Sequence, residues 1–152
     1  MSGEKHLLLL IEYRQGKPLK EPSHVEEIGA GLFRLLASQG LVQGIAAGDE
    51  FRLLNDDGAF EVITRGGNLA IQVYSRTPVA PQRDELAAQV QALGGWLDGA
   101  IQKGLVFTVP IAAGFPAVEA LFNDWAAAHE GWEWYFGNVY DPADGITPLQ
   151  WW

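Results

Sequence analysis

A chain of 152 residues without cysteine holds no disulfide, no thiolate metal site and no cysteine nucleophile. Its 48% apolar composition, with six tryptophans, excludes intrinsic disorder and suffices for the core of one domain. Ten basic residues scattered among nineteen acidic ones give a net charge of −9, which argues against nucleic acid as a ligand and leaves solubility, or a basic protein partner, as the use of an acidic surface.

The first apolar run, Leu7-Leu8-Leu9-Leu10-Ile11, is shorter than the roughly 7–15 residues of a signal sequence. No run approaches the roughly 20 residues of a membrane span. A cytoplasmic protein, bacterial in style and with no membrane contact, is expected. Residues 7–13 read as a buried strand ended by a turn cluster at 14–18. Residues 17–23, with two prolines, read as loop. A short strand at 24–28, a break at Gly29-Ala30-Gly31 and another short strand at 32–36 follow. A loop with an apolar interior spans 40–48, and Ala47-Gly48-Asp49 turns into a strand at 50–54. Asn55-Asp56-Asp57-Gly58 is a hairpin signal leading to a strand at 59–64. After a turn at 65–68, Leu69, Ile71 and Val73 alternate with Ala70, Gln72 and Tyr74, as in a strand with one apolar face. Residues 1–66 are thus expected to form a small antiparallel meander that curls like a barrel.

The second half changes rhythm. Residues 78–82 read as a linker, and Asp84-Glu85 as the start of a helix carrying Leu86, Val90 and Leu93 on one face, ended by Gly94-Gly95. Strands are predicted at 96–101 and 105–109. Gly114-Phe115-Pro116 opens a second helix with the stripe Val118, Leu121, Phe122 and Trp125. Gly131 ends it, and 132–136 is the last strand. From residue 67 to 140 the order is strand, helix, strand, strand, helix, strand, the split βαβ pattern of ferredoxin-like units, with both helices on one face. The fold class is therefore α+β. The strand at 69–74 is expected to serve both the meander and the second sheet, making residues 1–152 a single compact domain with a C-terminal tail at 141–152.

Several stretches carry a family resemblance: Leu32-Phe33-Arg34, the turn from Gly44 to Phe51, the segment from Gly67 to Val73, Leu93-Gly94-Gly95, the run from Leu105 to Pro110, and Gly131-Trp132-Glu133-Trp134-Tyr135. On these patterns of glycine and apolar residues the chain resembles DUF4265, a bacterial family of unknown function, from about residue 32 to 140. The resemblance implies the fold and names no activity. Where that family often carries His, Thr and Arg, this chain has Asn68, Ala70 and Gln72, so no role resting on that arginine carries over.

Candidate chemistry is sparse. Asp49, Asp56 and Asp57 lie in neighbouring turns, where paired carboxylates can do acid–base work or bind a hard cation. Turn geometry explains the same residues. His6, His24 and His129 lack metal-ligand spacing, although Glu26 and Glu27 neighbour His24, and His129 suits a helix end. Ser2, Ser23, Ser38 and Ser75 stand in no nucleophile elbow. Gly29-Ala30-Gly31 and Gly94-Gly95 lack the context of a phosphate loop. No cofactor, metal or catalytic set is expected. Among the aromatics, Trp132, Trp134 and Phe136 share one face of the last strand opposite Tyr135, and Trp96 and Trp125 are expected to meet that strand. Trp151 or Trp152 is expected to dock in a groove of the same domain or across a dimer, since exposed terminal indoles are a liability.

Three readings follow. The first is a non-enzymatic binding or interaction module, immunity-like or regulator-like, acting through its acidic and aromatic surface on a partner or as a homodimer. The second is a small-molecule binder with a pocket between meander and sheet lined by Tyr13, Trp96 and Tyr135. The third is an enzyme using Asp49, Asp56, Asp57 or His24. Residues proposed for binding are Tyr13, His24, Asp49, Trp96, Tyr135, Trp151 and Trp152.

Overall fold

The computed structural model describes residues 3–152; Met1 and Ser2, the latter one of the serines weighed above, lie outside them. Nine strands in two antiparallel sheets and two helices make an α+β fold among the described residues.

The first sheet is a meander of β1 (Glu4–Arg14), β2 (Lys17–Gly29), β3 (Leu32–Leu35), β4 (Glu50–Leu53) and β5 (Phe60–Thr64), ordered as in the sequence. It does not close into a barrel, because β5 pairs with β4 alone. The β4–β5 turn nevertheless clasps β1. Leu10 N–H donates to the Gly58 carbonyl at 2.9 Å, and the Tyr13 hydroxyl donates to Asp57 Oδ2 at 2.7 Å. The apolar run of β1 is buried on one side only. Leu7, Leu9 and Ile11 face a core with Val25, Phe33, Leu35, Val42, Ile45 and Phe51, whereas Leu8 points outward and is 54% exposed. Period-two alternation thus overrides the continuous hydrophobicity of the run.

The loop expected at 17–23 is strand. Pro18 faces Tyr13 and Pro22 faces Leu8, in the part of β2 that β3 does not reach. A proline is tolerated where no second ladder needs its missing N–H.

The second sheet runs β7-β8-β6-β9, from β6 (Asn68–Ser75), β7 (Trp96–Ile101), β8 (Gly104–Pro110) and β9 (Trp132–Phe136). Helices α1 (Ala80–Ala92) and α2 (Phe115–Ala128) bury Leu86, Val90, Val118, Phe122 and Trp125 against Leu69, Ile71, Val73 and Phe107. Both helices therefore lie on one face. The expected linker at 78–82 is mostly helix. Pro81 occupies the first turn, where a missing N–H costs nothing, and Asp84-Glu85 falls in the second.

Strand β6 is not shared between the sheets; it pairs only with β8 and β9. The joint is instead the segment 36–49, laid against the reverse face of β6. There Gln72 is fully buried and donates through Nε2 to the carbonyls of Gln39 and Val42 at 2.9 and 3.1 Å. Asn68 donates to the Ala47 carbonyl at 2.8 Å. The side-chain amides of Asn68 and Gln72 thus hold the joint together.

The tail docks on its own chain. Leu149 N–H donates to the Val139 carbonyl, and the Trp151 indole N–H donates to the Asn138 carbonyl, both at 2.8 Å. Trp152 stands edge-on to Phe115 with 5.1 Å between ring centroids. Trp125 and Trp132 are buried, and Trp134 packs on the same core. Trp96 does not meet the last strand, because β7 and β9 are opposite margins of the sheet. No helix among the described residues is long and apolar enough to cross a membrane.

Candidate functional site

A cavity of about 430 Å³ opens at the seam between the two sheets. His6 of β1, Glu21 and His24 of β2, Ser38 to Leu41 of the joint, Tyr74 of β6 and Asp98 of β7 contribute its polar lining. Pro22, Ile101, Leu105 and Val106 contribute apolar wall.

Asp98 reaches this position through a bulge. The β7–β8 register passes from Leu97 opposite Phe107 to Gly99 opposite Val106, leaving Asp98 as the extra residue. A bulge bends a strand and re-aims a side chain. The re-aimed carboxylate accepts from Ser38 N–H at 2.8 Å, from the Trp96 indole N–H at 2.8 Å and from the Thr108 hydroxyl. Burial pushes its carboxyl above the usual carboxylate range, against the lowering effect of those bonds.

Glu21 does the matching work from the other sheet. It accepts from the N–H groups of Gly40, Leu41 and Val42 at 3.3, 3.0 and 3.0 Å. A carboxylate offers about four lone-pair sites, so Glu21, with three backbone donors, retains one. Tyr74 donates its hydroxyl to the Gly40 carbonyl. Burial, then the nearby Glu21, Tyr135 and Glu133, raise its phenol above the usual range. His24 stacks on His6, its partner across the β1–β2 ladder, with centroids 5.1 Å apart and planes 15° from parallel. Among the described residues, no Lys or Arg lines the cavity. Among the described residues no cluster of three His, Asp or Glu could hold a metal ion.

Of the seven residues proposed for binding from the sequence, His24 alone lines this cavity; His6 and Ser38, weighed there as candidate chemistry, line it too. Trp96 stays 40% exposed and enters indirectly, by its bond to Asp98. Tyr13 is held at the clasp on Asp57. Tyr135 donates to Glu133 at 2.8 Å and lines a separate trough. Asp49 is buried at the joint. It accepts from Ala46 N–H at 3.0 Å and Gly66 N–H at 2.8 Å, and pairs with Arg65 at 3.3 Å. The Arg65 guanidinium lies 5.7 Å over the Trp151 ring. Asp57 is thus engaged in the β4–β5 turn that it shares with Asp56, and Asp49 is engaged apart from both at the joint. His129 stacks on Trp125 at 3.8 Å. Sequence reasoning missed Asp98, Glu21 and Tyr74. For Asp98 a signal exists: it is the charged residue of an otherwise apolar strand and precedes a glycine, as at many bulges.

The fold is similar to a solved structure described as a novel crystal structure of a hypothetical protein from Neisseria gonorrhoeae, with a TM-score of 0.70 and 13% identity. The likeness covers 88% of this chain and 94% of that one, and at such identity it speaks for the fold alone. No curated protein matches the chain. The sequence model of a domain of unknown function, DUF4265, matches residues 21–134, three quarters of the length, and the chain therefore belongs to the DUF4265 family.

Proposed function

We propose that this protein binds a small organic molecule bearing an amine or another strong proton donor in the seam cavity, and does so without transforming it. The observation that carries the reading is the pairing of Glu21 and Asp98 in one cavity that, among the described residues, has no lysine or arginine in its lining. Its size falls within the roughly 300–1,000 Å³ of small-molecule sites. Two carboxylates in one cavity, with a lone pair of Glu21 unused, favour a donor or a cation over an anion. Their other bonds hold the loop 38–42, so the acids are fixed in place before a ligand arrives. Such preorganisation lowers the cost of binding. It also commits them to fixed protein donors, which suits recognition better than proton shuttling.

The architecture supports two further parts of the reading. The order β7-β8-β6-β9, with both helices on one face, supports a ferredoxin-like unit. The hydrogen bonds of segment 36–49 to both sheets support a single domain for the two halves.

The test is calorimetric titration with a panel of small amines, matched carboxylates and neutral analogues. Ala100, exposed on the cavity wall, is replaced in a blocking variant, Ala100→Phe. Saturable binding of amines alone, abolished by the blocking substitution, is expected. A flat response to every amine, or binding that survives the block, would refute the proposal.

A further inference from the structure

The second trough, about 760 Å³, follows the outer margin of β9. Strand β9 ends the sheet order and pairs with β6 alone. Its exposed backbone groups can be assigned. Gly137 N–H, just past the strand, donates inward to the Ala70 carbonyl at 2.7 Å. On the far side of β6, Ser75 N–H donates to the Lys103 carbonyl at 2.9 Å, which fixes the same alternation. An antiparallel ladder turns every second residue toward its partner. Glu133 and Tyr135 therefore face β6, while the N–H and C=O groups of Trp134 and Phe136 face outward into the trough.

Edge strands are usually blunted by a bulge, a proline or a lysine. The opposite margin, β7, carries the Asp98 bulge. The β6–β9 register runs without a shift, and the strand Trp132-Glu133-Trp134-Tyr135-Phe136 contains neither proline nor lysine. The trough gives alternate side chains of an added strand two surfaces. One is Trp134 and Phe136 on the helix side; the other is Tyr74 and Tyr135, 6.2 Å apart, on the reverse side. Glu119 and Asp141 line it, Glu133 neighbours Tyr135, and no Lys or Arg contributes.

We propose that β9 receives an extended, lysine- or arginine-rich segment of another protein as an added strand. Backbone rungs to Trp134 and Phe136 supply the affinity common to strand addition, and the rim acids select positive charge. The same acids disfavour a second copy of this chain, because two negative rims would then face each other.

The test uses an end-blocked peptide of alternating Lys and Val, a Glu–Val counterpart, and the full chain labelled for amide NMR. The Lys–Val peptide is expected to shift the amides of Trp134 and Phe136 most. Its affinity should fall about tenfold or more when salt rises from about 0.05 M to about 0.5 M. The surface variant Glu119→Lys with Asp141→Lys should weaken it by a similar factor, while Ala100→Phe leaves it unchanged. Four results would each overturn the proposal: no binding at low salt, binding that leaves those two amides unmoved, equal binding of the Glu–Val peptide, or self-association through the same amides without peptide. Failure of amine binding in the seam cavity is a separate outcome, since the two sites have different blocking variants.

Discussion

The hydroxyls of Ser38 and Thr108 lie 2.7 Å apart, both residues fully or nearly fully buried, although one belongs to the joint and the other to the middle of the second sheet. Ser38 Oγ also accepts from Ala47 N–H at 3.0 Å, and Thr108 donates to Asp98. Removing either hydroxyl leaves buried partners short of a bond, at a cost of about 1–3 kcal/mol. Ser38→Ala and Thr108→Val are each expected to lower stability by that amount in urea titrations. Because the two share a network, the double variant should cost less than the sum, with a coupling of about 0.5–3 kcal/mol. Strict additivity would show that the two hydroxyls act independently.

Burial gives Asp98 an unusual pH signature, against the lowering effect of its hydrogen bonds. Its folded pKa lies above the ordinary value, chiefly through burial. The folded state then holds the proton more tightly than the unfolded chain, so stability falls as pH rises from about 3.9 through the folded pKa. Above that window the cost is fully present. Asp49 has the same sign, also through burial. Asp144 has the opposite sign. Bonds from the Thr147 hydroxyl and from the backbone N–H of Thr147 and Ile146 lower its pKa, so its contribution is present above about 3.9 and lost as pH falls through the folded value. Carboxyl carbon NMR should therefore find Asp98 titrating at higher pH than Asp144. The reverse order would contradict the assignment of these environments.

Much of the fold was legible because local chemistry and tertiary demand agree. Asp57-Gly58 marks the clasping hairpin, and the stripe Val118, Phe122 and Trp125 marks α2. The terminal indoles called for a cover, and Trp151 has one. The site was not legible for a physical reason. Glu21, Ser38, Tyr74 and Asp98 come from four separate stretches, brought together by ladder register and one bulge. Apart from Asp98, whose place before a glycine in an apolar strand hints at a bulge, each looks ordinary in its own stretch. Ser38 stands in no catalytic motif, and Glu21 sits among prolines that suggest a loop. Asn68 and Gln72 read as departures from a family pattern, yet their amides turned out to satisfy loop carbonyls in the joint.

The clasp of the β4–β5 turn on β1 makes Gly58 a sharp test. Its φ is +85°, and an added Cβ would stand 2.9 Å from Leu10 N and on top of the Leu8 carbonyl oxygen. Gly16 has a φ of +75° with nothing within 4 Å. Both alanine variants meet the left-handed penalty of about 1–2 kcal/mol, but only Gly58→Ala also forces β1 and the turn apart. Chemical unfolding should show Gly16→Ala losing about that much and Gly58→Ala clearly more. Equal losses would mean that the clasp yields at no cost.

The tail tests whether docking in the same chain contributes to stability. The Trp151 ring is half-buried between Arg65 and the helix-side core, and its N–H is bonded to the Asn138 carbonyl. Asn138 in turn accepts from Ala70 N–H at 2.9 Å and donates to the Asn68 carbonyl at 2.8 Å, so the indole braces a residue that ties the tail to β6. A fully buried Trp→Ala costs about 3–5 kcal/mol, and a half-buried ring about half of that. At about 2–4 °C per kcal/mol for a chain of this size, Trp151→Ala should lower the melting temperature by roughly 4–8 °C. Trp152 is 46% exposed and makes its contact edge-on to Phe115, so Trp152→Ala should cost less. Deleting residues 149–152 should cost at least as much as Trp151→Ala, since the Leu149 bond to Val139 goes with it. Scanning calorimetry of the three variants decides the matter: an unchanged midpoint for Trp151→Ala would mean that the indole covers the core without stabilising it.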